Sequence, residues 1–292
     1  MGPLDEAALR HRFCDCGGVK LHVVEAGPAD GPAVLLLHGF PDFWWGWRRQ
    51  IGPLAGAGLR VVVPDQRGYN TSDKPEGIAN YRTSRLAGDV VALADALGIG
   101  RFGLVGHDWG GVVAWTAAAL HPERVARLAV LNAPHPDTLA AYALGHPTQI
   151  LRSSYVGAFQ LPRLPEMLLA AADHRALRRA LVGSSRPGTF SAGDLARYAQ
   201  AWRQPGALTA MLGWYRALRL GGRPVLPRIA PDTLVVWGVQ DRFLERGLAE
   251  AAAARCRSAR VDRHQAAHWV QAEEAEAVNA ALIAFLCGAS AP

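Results

Sequence analysis

Lysine is scarce in this chain, and basic runs are missing. Only Lys20 and Lys74 are lysines among 292 residues, although the formal net charge is +6. The other basic residues are scattered arginines, densest at 48–49 and 178–179. Proteins that follow a nucleic-acid backbone cluster their basic residues on one face or along one helix. We therefore predict a basic but dispersed surface and no nucleic-acid partner.

Cysteine and long apolar runs are also scarce. The four cysteines, Cys14, Cys16, Cys256 and Cys287, have no spacing typical of a disulfide framework or a zinc site. The N-terminus lacks a basic segment followed by an apolar one, and no uncharged run approaches the length of a membrane span. We therefore expect reduced thiols, no metal and no membrane partner, in a soluble cytoplasmic monomer or homodimer.

Short apolar runs that alternate with helical stretches are what the chain has instead. Such runs indicate strands of a parallel sheet covered by helices on both faces, and reactive groups gather at the carboxyl ends of those strands. The fold class is therefore α/β. The predicted strands are 19–25, 33–37, 60–63, 103–105, 128–131, 233–238 and 259–262, the first near a sheet edge and half-exposed. The predicted helices of the core are 83–97, 112–120 and 275–287.

The alternation stops after residue 136. From there to about residue 223 the sequence is mainly helical, with Pro and Gly at the breaks. A buried strand then resumes at 233–238. We predict an α/β core formed by 1–136 and 225–292, with a helical cap inserted at 137–224.

The most informative segment is Gly-His-Asp-Trp-Gly at 106–110, between a predicted strand and a predicted helix. Small residues two positions either side of a central nucleophile are typical of the nucleophile elbow, a tight strand-to-helix turn. Here the central residue is Asp108, with a reference pKa of about 3.9, so it is ionised at pH 7. A carboxylate suits displacement at a saturated carbon better than attack on an ester. We therefore predict a covalent alkyl ester on Asp108, formed from an epoxide or a haloalkane. The alternative is a glycine-rich turn with a solvated aspartate.

An acidic residue and a histidine follow in the order expected for such an elbow. Asp241 comes just after the strand at 233–238, and His268 precedes the final helix. Nucleophile, acid and histidine occur in this order in α/β-hydrolases. With an aspartate nucleophile, His268 would activate the water that attacks the ester, and Asp241 would fix its tautomer. His264 competes for this role, but it lies in a charged segment before the loop.

The segment His-Gly-Phe-Pro at 38–41 follows an apolar strand. A loop here can direct the backbone N–H of Phe40 toward the site, beside the N–H of Trp109 from the elbow. Two such donors would hold the oxyanion that forms when water attacks the ester. A turn that merely closes the strand is compatible with this interpretation.

Together, these motifs and Asp-Gln-Arg-Gly-Tyr-Asn-Thr-Ser-Asp-Lys-Pro at 65–75 give the chain a specific resemblance. Over almost its whole length it resembles the α/β-hydrolase-fold epoxide hydrolases, close to the soluble epoxide hydrolases. The resemblance implies an α/β-hydrolase fold with a cap. It also implies a cofactor-independent enzyme that converts an apolar epoxide and water to a vicinal diol.

The family opens the epoxide with two cap tyrosines. Tyr155, in Tyr-Val-Gly-Ala-Phe-Gln at 155–160, and Tyr215, in Trp-Tyr-Arg at 214–216, match their segments. The resemblance thus implies that both protonate the leaving oxygen, a task for which a donor with a pKa near 10 is suited. The residues expected to line the substrate pocket are His38, Pro41, Phe159 and Trp214. The chain departs from many relatives at Asn70, Gly157 and Ala158.

Two other functions stay open from the sequence. A haloalkane dehalogenase shares the fold and the aspartate, but it needs N–H donors for the halide. Phe40 stands where many dehalogenases carry an asparagine donor, so Trp202 or Trp214 would have to supply a donor beside Trp109. The second alternative is a non-catalytic ligand-binding or biosynthetic helper protein on the same fold.

Overall fold

One mixed sheet forms the centre of the computed structural model, which describes residues 4–222 and 225–288. Within these residues its eight strands are β1 Arg10–Asp15, β2 Lys20–Ala26, β3 Ala33–Leu37, β4 Arg60–Pro64, β5 Phe102–His107, β6 Val125–Leu131, β7 Asp232–Gly238 and β8 Ala259–His264. Their order is β1-β2-β4-β3-β5-β6-β7-β8. β1, β2 and β4 pair antiparallel, and all later pairs are parallel. The predicted α/β class is confirmed.

Helices cover both the sheet and its carboxyl edge. Those of the core are α1 Arg48–Gly56, α2 Thr83–Ala96, α3 Trp109–Leu120, α10 Gly247–Ala253, α11 Val270–Glu273 and α12 Ala275–Cys287. Those between β6 and β7 are α4 Leu139–Gly145, α5 Pro147–Arg152, α6 Ser154–Ala158, α7 Leu164–Gly183, α8 Ala192–Trp202 and α9 Ala207–Arg216. Short 3₁₀ helices lie at Glu6–Ala8, Trp44–Trp47, Ile78–Tyr81 and Ala217–Leu220. α7 is interrupted by non-helical backbone at 171–174.

The second of these groups is the helical segment that the sequence predicts as a cap. Its predicted limits, 137–224, stay a prediction, and residue 224 lies outside the described residues, as do the chain ends 1–3 and 289–292. Among the residues described, no helix combines the length and the apolar character needed to cross a bilayer.

The central strands form the core because both of their faces are covered. Every residue of β5 is buried, as are all residues of β3 and β7 after the first. Wholly apolar strands such as β3, with the sequence Ala-Val-Leu-Leu-Leu, suit this environment because neither face meets water. The sheet thus holds the carboxyl ends of β3, β5, β6 and β7 side by side.

The sequence prediction was wrong at one edge of the sheet. β1 was not predicted, since five of its six residues are exposed and no apolar run marks it. It pairs with β2 and occupies the edge position. β2 was expected to be half-exposed near an edge, but it lies between β1 and β4 with every residue after Lys20 buried.

The start of α3 packs unusually close to β3 and to the end of β5. A Cβ atom added to Gly110 would lie 2.1 Å from the carbonyl oxygen of Leu37, and one added to Gly106 would lie 2.3 Å from that of Gly110. Backbone atoms at these distances cannot move aside as a flexible side chain can. Both glycines are therefore needed for the helix to begin directly against the sheet.

We expect Gly110→Ala to lower the free energy of unfolding by about 1–3 kcal/mol, because the methyl group forces α3 away from β3. Chemical denaturation monitored by circular dichroism measures this. Gly88→Ala is the matched control, since a Cβ there meets nothing within 4 Å in α2. That change should raise stability by about 0.5–1 kcal/mol. Equal stability of Gly110→Ala and the wild type would contradict the close approach.

Candidate active site

Asp108 occupies the turn between β5 and α3 in a backbone conformation that side chains rarely adopt. Its φ is 52° and its ψ is −124°. Strained backbone of this kind persists only when the surroundings hold it, and here the close glycine contacts at both sides do so. The turn projects the Asp108 side chain at the carboxyl edge of the sheet, where the elbow motif places it.

Two backbone amides bind the Asp108 carboxyl group. The N–H of Phe40 donates to Oδ1 at 2.8 Å, and the N–H of Trp109 donates to the same carboxyl group. Gly39 makes this approach possible, because an added Cβ would lie 2.4 Å from Oδ1. The two predicted oxyanion donors thus meet at one carboxylate. Burial raises the pKa of Asp108, while His268 and the two amides act in the opposite direction.

His268 lies between two carboxylates. Its Nε2 is 3.7 Å from Oδ2 of Asp108, and its Nδ1 is 2.8 Å from Oδ2 of Asp241. Burial alone would disfavour a charged ring, but Asp241, first by its charge and then by its hydrogen bond, raises the pKa of His268 to about 9. His264, the alternative histidine, ends β8 and lies 3.5 Å from Asp262. The predicted His268 is therefore the one at Asp108.

Asp241 is fully buried and held by four neighbours. Oδ1 accepts the N–H groups of Phe243 and Leu244 at 2.7 and 3.1 Å, and Oδ2 accepts Nδ2 of Asn132 at 2.6 Å besides the His268 ring. Burial favours the neutral acid, yet His268 and these hydrogen bonds keep the pKa of Asp241 below its ordinary value. Asp241 is therefore an anion in a fixed orientation.

Asn132 was not predicted as a site residue. It follows β6 with a φ of 41°, and its Oδ1 accepts the N–H of Gly238 at 2.8 Å. Asparagine tolerates this left-handed conformation better than most residues. The side chain thus ties the ends of β6 and β7 together and directs Nδ2 at Asp241.

His107 is a second residue that the sequence left unassigned. Its Nε2 lies 2.8 Å from the carbonyl oxygen of His268 and donates to it. Burial lowers the pKa of His107 to about 3, with the neighbouring His268 as a further cause, so the ring stays neutral. His107 thus holds the backbone of His268 in place without adding a charge to the site.

The two predicted tyrosines approach Asp108 from the cap. Tyr155 lies in α6 and Tyr215 at the end of α9, with ring centroids 5.9 Å apart. The Tyr215 ring stands edge-on to Phe40 at 5.2 Å and to Trp109 at 5.0 Å. Burial, and then the charge of Asp108 among the further causes, raises the pKa of both tyrosines. Both therefore carry a proton that they can donate.

Two reciprocal hydrogen bonds join the segments that carry these tyrosines. Nε2 of Gln160 donates to the carbonyl oxygen of Tyr215 at 3.0 Å, and Nε of Arg216 donates to that of Phe159 at 3.0 Å. Arg216 also forms an ion pair with Glu166 at 2.6 Å. The sequence motifs contain Gln160 and Arg216, but only the structure shows this connection.

The four predicted pocket residues differ in what their side chains contact. Phe159 packs edge-on against Tyr215 at 5.0 Å and against Phe40 at 5.6 Å, beside the carboxylate. Trp214 is buried against Trp109 at 5.8 Å, and its Nε1 donates to the carbonyl oxygen of Arg67 at 3.1 Å. Both therefore lie beside residues of the site.

His38 and Pro41 shape the loop that carries Phe40. His38 is fully buried, with Nδ1 3.1 Å from the carbonyl oxygen of Gly39 and Nε2 accepting the N–H of Gln66 at 3.0 Å. The peptide bond before Pro41 is cis, and the Pro41 carbonyl oxygen accepts Nε1 of Trp202 at 2.7 Å. Both ring nitrogens of His38 are therefore bound within the protein, and its place in the substrate pocket stays a prediction.

The loop at 65–75 contacts the loop that carries Phe40, since the N–H of Gln66 donates to His38. Asn70 has a φ of 42°, a left-handed conformation that asparagine tolerates better than most residues. Its Nδ2 donates to Oδ2 of Asp65 at 2.7 Å. Within residues 4–222 and 225–288 no group of three or more His, Cys, Asp or Glu side chains is placed to hold a metal ion.

Comparison with known proteins gives consistent matches. A family model described as the alpha/beta hydrolase fold matches residues 32–275. The AB hydrolase superfamily protein YfhM of Bacillus subtilis (strain 168) is 44% identical over 280 residues, which cover 95% of this chain and 98% of that protein. Epoxide hydrolase 4 of Mus musculus is 36% identical over 277 residues, 92% of this chain and 77% of that one. The crystal structure of Bacillus megaterium epoxide hydrolase in complex with an inhibitor superposes with a TM-score of 0.86 at 29% identity, covering 94% of this chain and 100% of that one.

The raised pKa of His268 predicts how stability depends on pH. Because the folded pKa of about 9 exceeds the ordinary value of 6.5, its contribution is complete below pH 6.5 and is lost as pH rises through about 9. We expect a loss on the order of 3 kcal/mol across this window. Urea denaturation of the wild type and of His268→Gln from pH 6 to 10 measures it. Parallel curves for the two proteins would show that the histidine is not charged in the folded state.

Proposed function

The chain belongs to the α/β-hydrolase-fold family and, within it, to the epoxide hydrolases, and on this premise we propose that it converts an apolar epoxide and water to a vicinal diol. The observation that carries the proposal is one partly buried carboxylate, Asp108, with protonated Tyr155 and Tyr215 above it and His268 beside it. This set contains a nucleophile, two acids and a base, and every group comes from the chain itself.

In the first step Asp108 attacks an oxirane carbon. The backbone N–H groups of Phe40 and Trp109 hold the carboxylate, that of Phe40 at Oδ1, and an oxygen of the same carboxylate forms the new C–O bond. The bond between that carbon and the ring oxygen breaks, and the ring oxygen takes a proton from Tyr155 or Tyr215. Protonation is needed because an alkoxide is too basic to leave unassisted. The product is a hydroxyalkyl ester on Asp108 and a tyrosinate.

In the second step water hydrolyses this ester. Nε2 of His268 takes a proton from water while the water oxygen attacks Cγ of Asp108. The oxyanion that forms stays within reach of the Phe40 and Trp109 amides, which already bind the Asp108 carboxylate. When the ester bond breaks, one proton of the water completes the second hydroxyl of the diol and the other restores the tyrosine. Asp108 returns as a carboxylate.

The charges of the site give these steps their order. In the free enzyme the anions of Asp108 and Asp241 both favour the protonated form of His268. Ester formation neutralises Asp108, so one of these causes disappears and the pKa of His268 falls. His268 can then release its proton to solvent, and the neutral ring is the base at the stage when a base is required.

The dehalogenase alternative is less well supported by the indole groups. Nε1 of Trp202 donates to the carbonyl oxygen of Pro41 at 2.7 Å, and Nε1 of Trp214 donates to that of Arg67 at 3.1 Å. The two cap donors that a halide would need are therefore already engaged. A non-catalytic helper protein would be favoured by the loss of a catalytic residue, and all five proposed catalytic residues are present. Cytoplasmic location and a monomeric or homodimeric state stay predictions from the sequence.

We expect His268→Gln to accumulate the alkyl-enzyme ester, because Asp108 and both tyrosines remain while the base for hydrolysis is gone. Intact mass after exposure to a panel of apolar epoxides should show a gain equal to the whole epoxide. The control is His268→Gln combined with Asp108→Asn, which should show no gain.

The same panel should include haloalkanes. A gain equal to a haloalkane without its halide, together with no epoxide adduct, would replace the proposal with a dehalogenase. No gain with any compound, together with no turnover of any epoxide by the wild type, would contradict epoxide hydrolysis.

The tyrosines are tested by the rate of ester formation. We expect Tyr155→Phe and Tyr215→Phe each to slow alkylation of Asp108, and the double variant to slow it by about 10²–10⁴-fold, because no acid remains. Single-turnover mass spectrometry in the His268→Gln background measures this rate. Tyr81→Phe is the matched control, since its hydroxyl donates to the carbonyl oxygen of Pro75 at 2.8 Å. A double variant that alkylates at the control's rate would exclude the tyrosines as acids.

A further inference from the structure

The loop that follows Asp241 is hydrogen-bonded to helices α4 and α5. Arg152 donates to the carbonyl oxygen of Asp241 at 2.7 Å, and Tyr142 donates to Glu245 at 3.2 Å. Thr148 also donates to the Glu245 carboxylate. Gln149 lies on α5 between Thr148 and Arg152. We name the loop at 241–245 the acid loop, because its first residue holds His268.

Gln149 has an environment unlike that of its neighbours on α5. It is fully buried, whereas Thr148 and Ile150 are exposed. Its Nε2 donates to the carbonyl oxygen of Phe243 at 2.8 Å and to Oγ of Ser153 at 3.0 Å, and its Oε1 accepts the N–H of Glu245 at 2.9 Å. An amide is the only uncharged side chain that offers a donor group and a carbonyl acceptor together.

These hydrogen bonds join the two halves of the proposed chemistry. Ser153 directly precedes α6, the helix that carries Tyr155. On the other side, the Phe243 ring stands edge-on to His268 at 5.1 Å and packs against Tyr155 at 5.7 Å. The N–H of Phe243 also binds Asp241 at 2.7 Å. A shift of Gln149 therefore displaces the acid of the first step and the base of the second.

We propose that Gln149 is a positioning residue that couples the cap tyrosine to the acid loop, so that the alkylation and hydrolysis steps both depend on it. The inference rests on the proposed function. Gln149 touches no reacting atom. It acts through Phe243, which it holds between Tyr155 and His268, and through the start of α6.

The test measures both steps in variants of Gln149. Gln149→Met keeps the length and buried volume of the side chain but removes all three hydrogen bonds. Gln149→Glu keeps the acceptor for Glu245 and loses the donor to Phe243. We expect each variant to slow alkylation and ester hydrolysis by about 10-fold, with KM within 2-fold of the wild-type value, because small misplacements of catalytic groups affect rates more than binding.

Rates per folded molecule separate positioning from a loss of fold. The amount of enzyme that forms the ester in the His268→Gln background counts the competent molecules and gives the alkylation rate. Quenched-flow mass spectrometry of variants that keep His268 gives the rate of ester hydrolysis. Thr148→Val is the matched control, since it removes one exposed hydrogen bond from the same helix to the Glu245 side chain. It should leave both rates within 2-fold of the wild-type rates.

Three outcomes would overturn the proposal. Both rates of Gln149→Met stay within 2-fold of wild type, only one of the two rates falls, or Thr148→Val slows both steps as much. Amide hydrogen exchange at Phe243 and Glu245 gives a readout that needs no substrate. It should become faster in Gln149→Met and unchanged in Thr148→Val. If the proposed function is wrong, the wild type will turn over no epoxide. The hydrogen-exchange result is independent of that outcome, because it needs no substrate.

Discussion

The turn at Asp108 is the constraint on which the rest of the site depends. A positive φ of 52° aims the carboxylate at the amides of Phe40 and Trp109, and it is kept there by glycines that let α3 touch β3. The parallel part of the sheet supplies the other groups, because β6, β7 and β8 follow β5 in that order across the sheet. Asn132, Asp241 and the loop of His268 thus reach the same edge. A wider turn would move the carboxylate away from all of them.

Electrostatics explains how the partly buried Asp108 carboxylate stays ionised and reactive here. Burial costs an anion its hydration, and the pKa of Asp108 is raised accordingly. Amide donors and the charged His268 offset much of that cost without solvating the attacking oxygen. Asp241 also raises the pKa of this histidine. The Asp241 anion is held in place by Asn132 and by two backbone amides. The charge of His268 therefore depends on Asp241 and on whether Asp108 is ionised, which links the ester's formation to its hydrolysis.

The sequence was informative where chemistry and local structure coincide. Asp108, Asp241 and His268 each follow a strand, and they occur in the order nucleophile, acid and histidine. Their proximity in the fold could therefore be predicted. Asn132 and Gln149 could not, because their partners lie 109 and 94 residues away and neither belongs to a local motif. β1 was missed for a different reason, since its exposed residues carry no apolar pattern. Long-range hydrogen bonds of common side chains leave no mark in a single sequence.

The cap, rather than the core, distinguishes the possible reactions. An aspartate with two amides and a histidine suits epoxide and haloalkane chemistry equally well. What differs is the group that meets the leaving atom. Here the indole N–H groups of Trp202 and Trp214 are bound to backbone carbonyl oxygens, while Tyr155 and Tyr215 lie close enough to Asp108 for its charge to raise their pKa. A leaving oxygen needs a proton and a halide does not, so protonated tyrosines at this place favour the epoxide. The hydrogen bonds that fix the cap segments are therefore part of the specificity of the reaction.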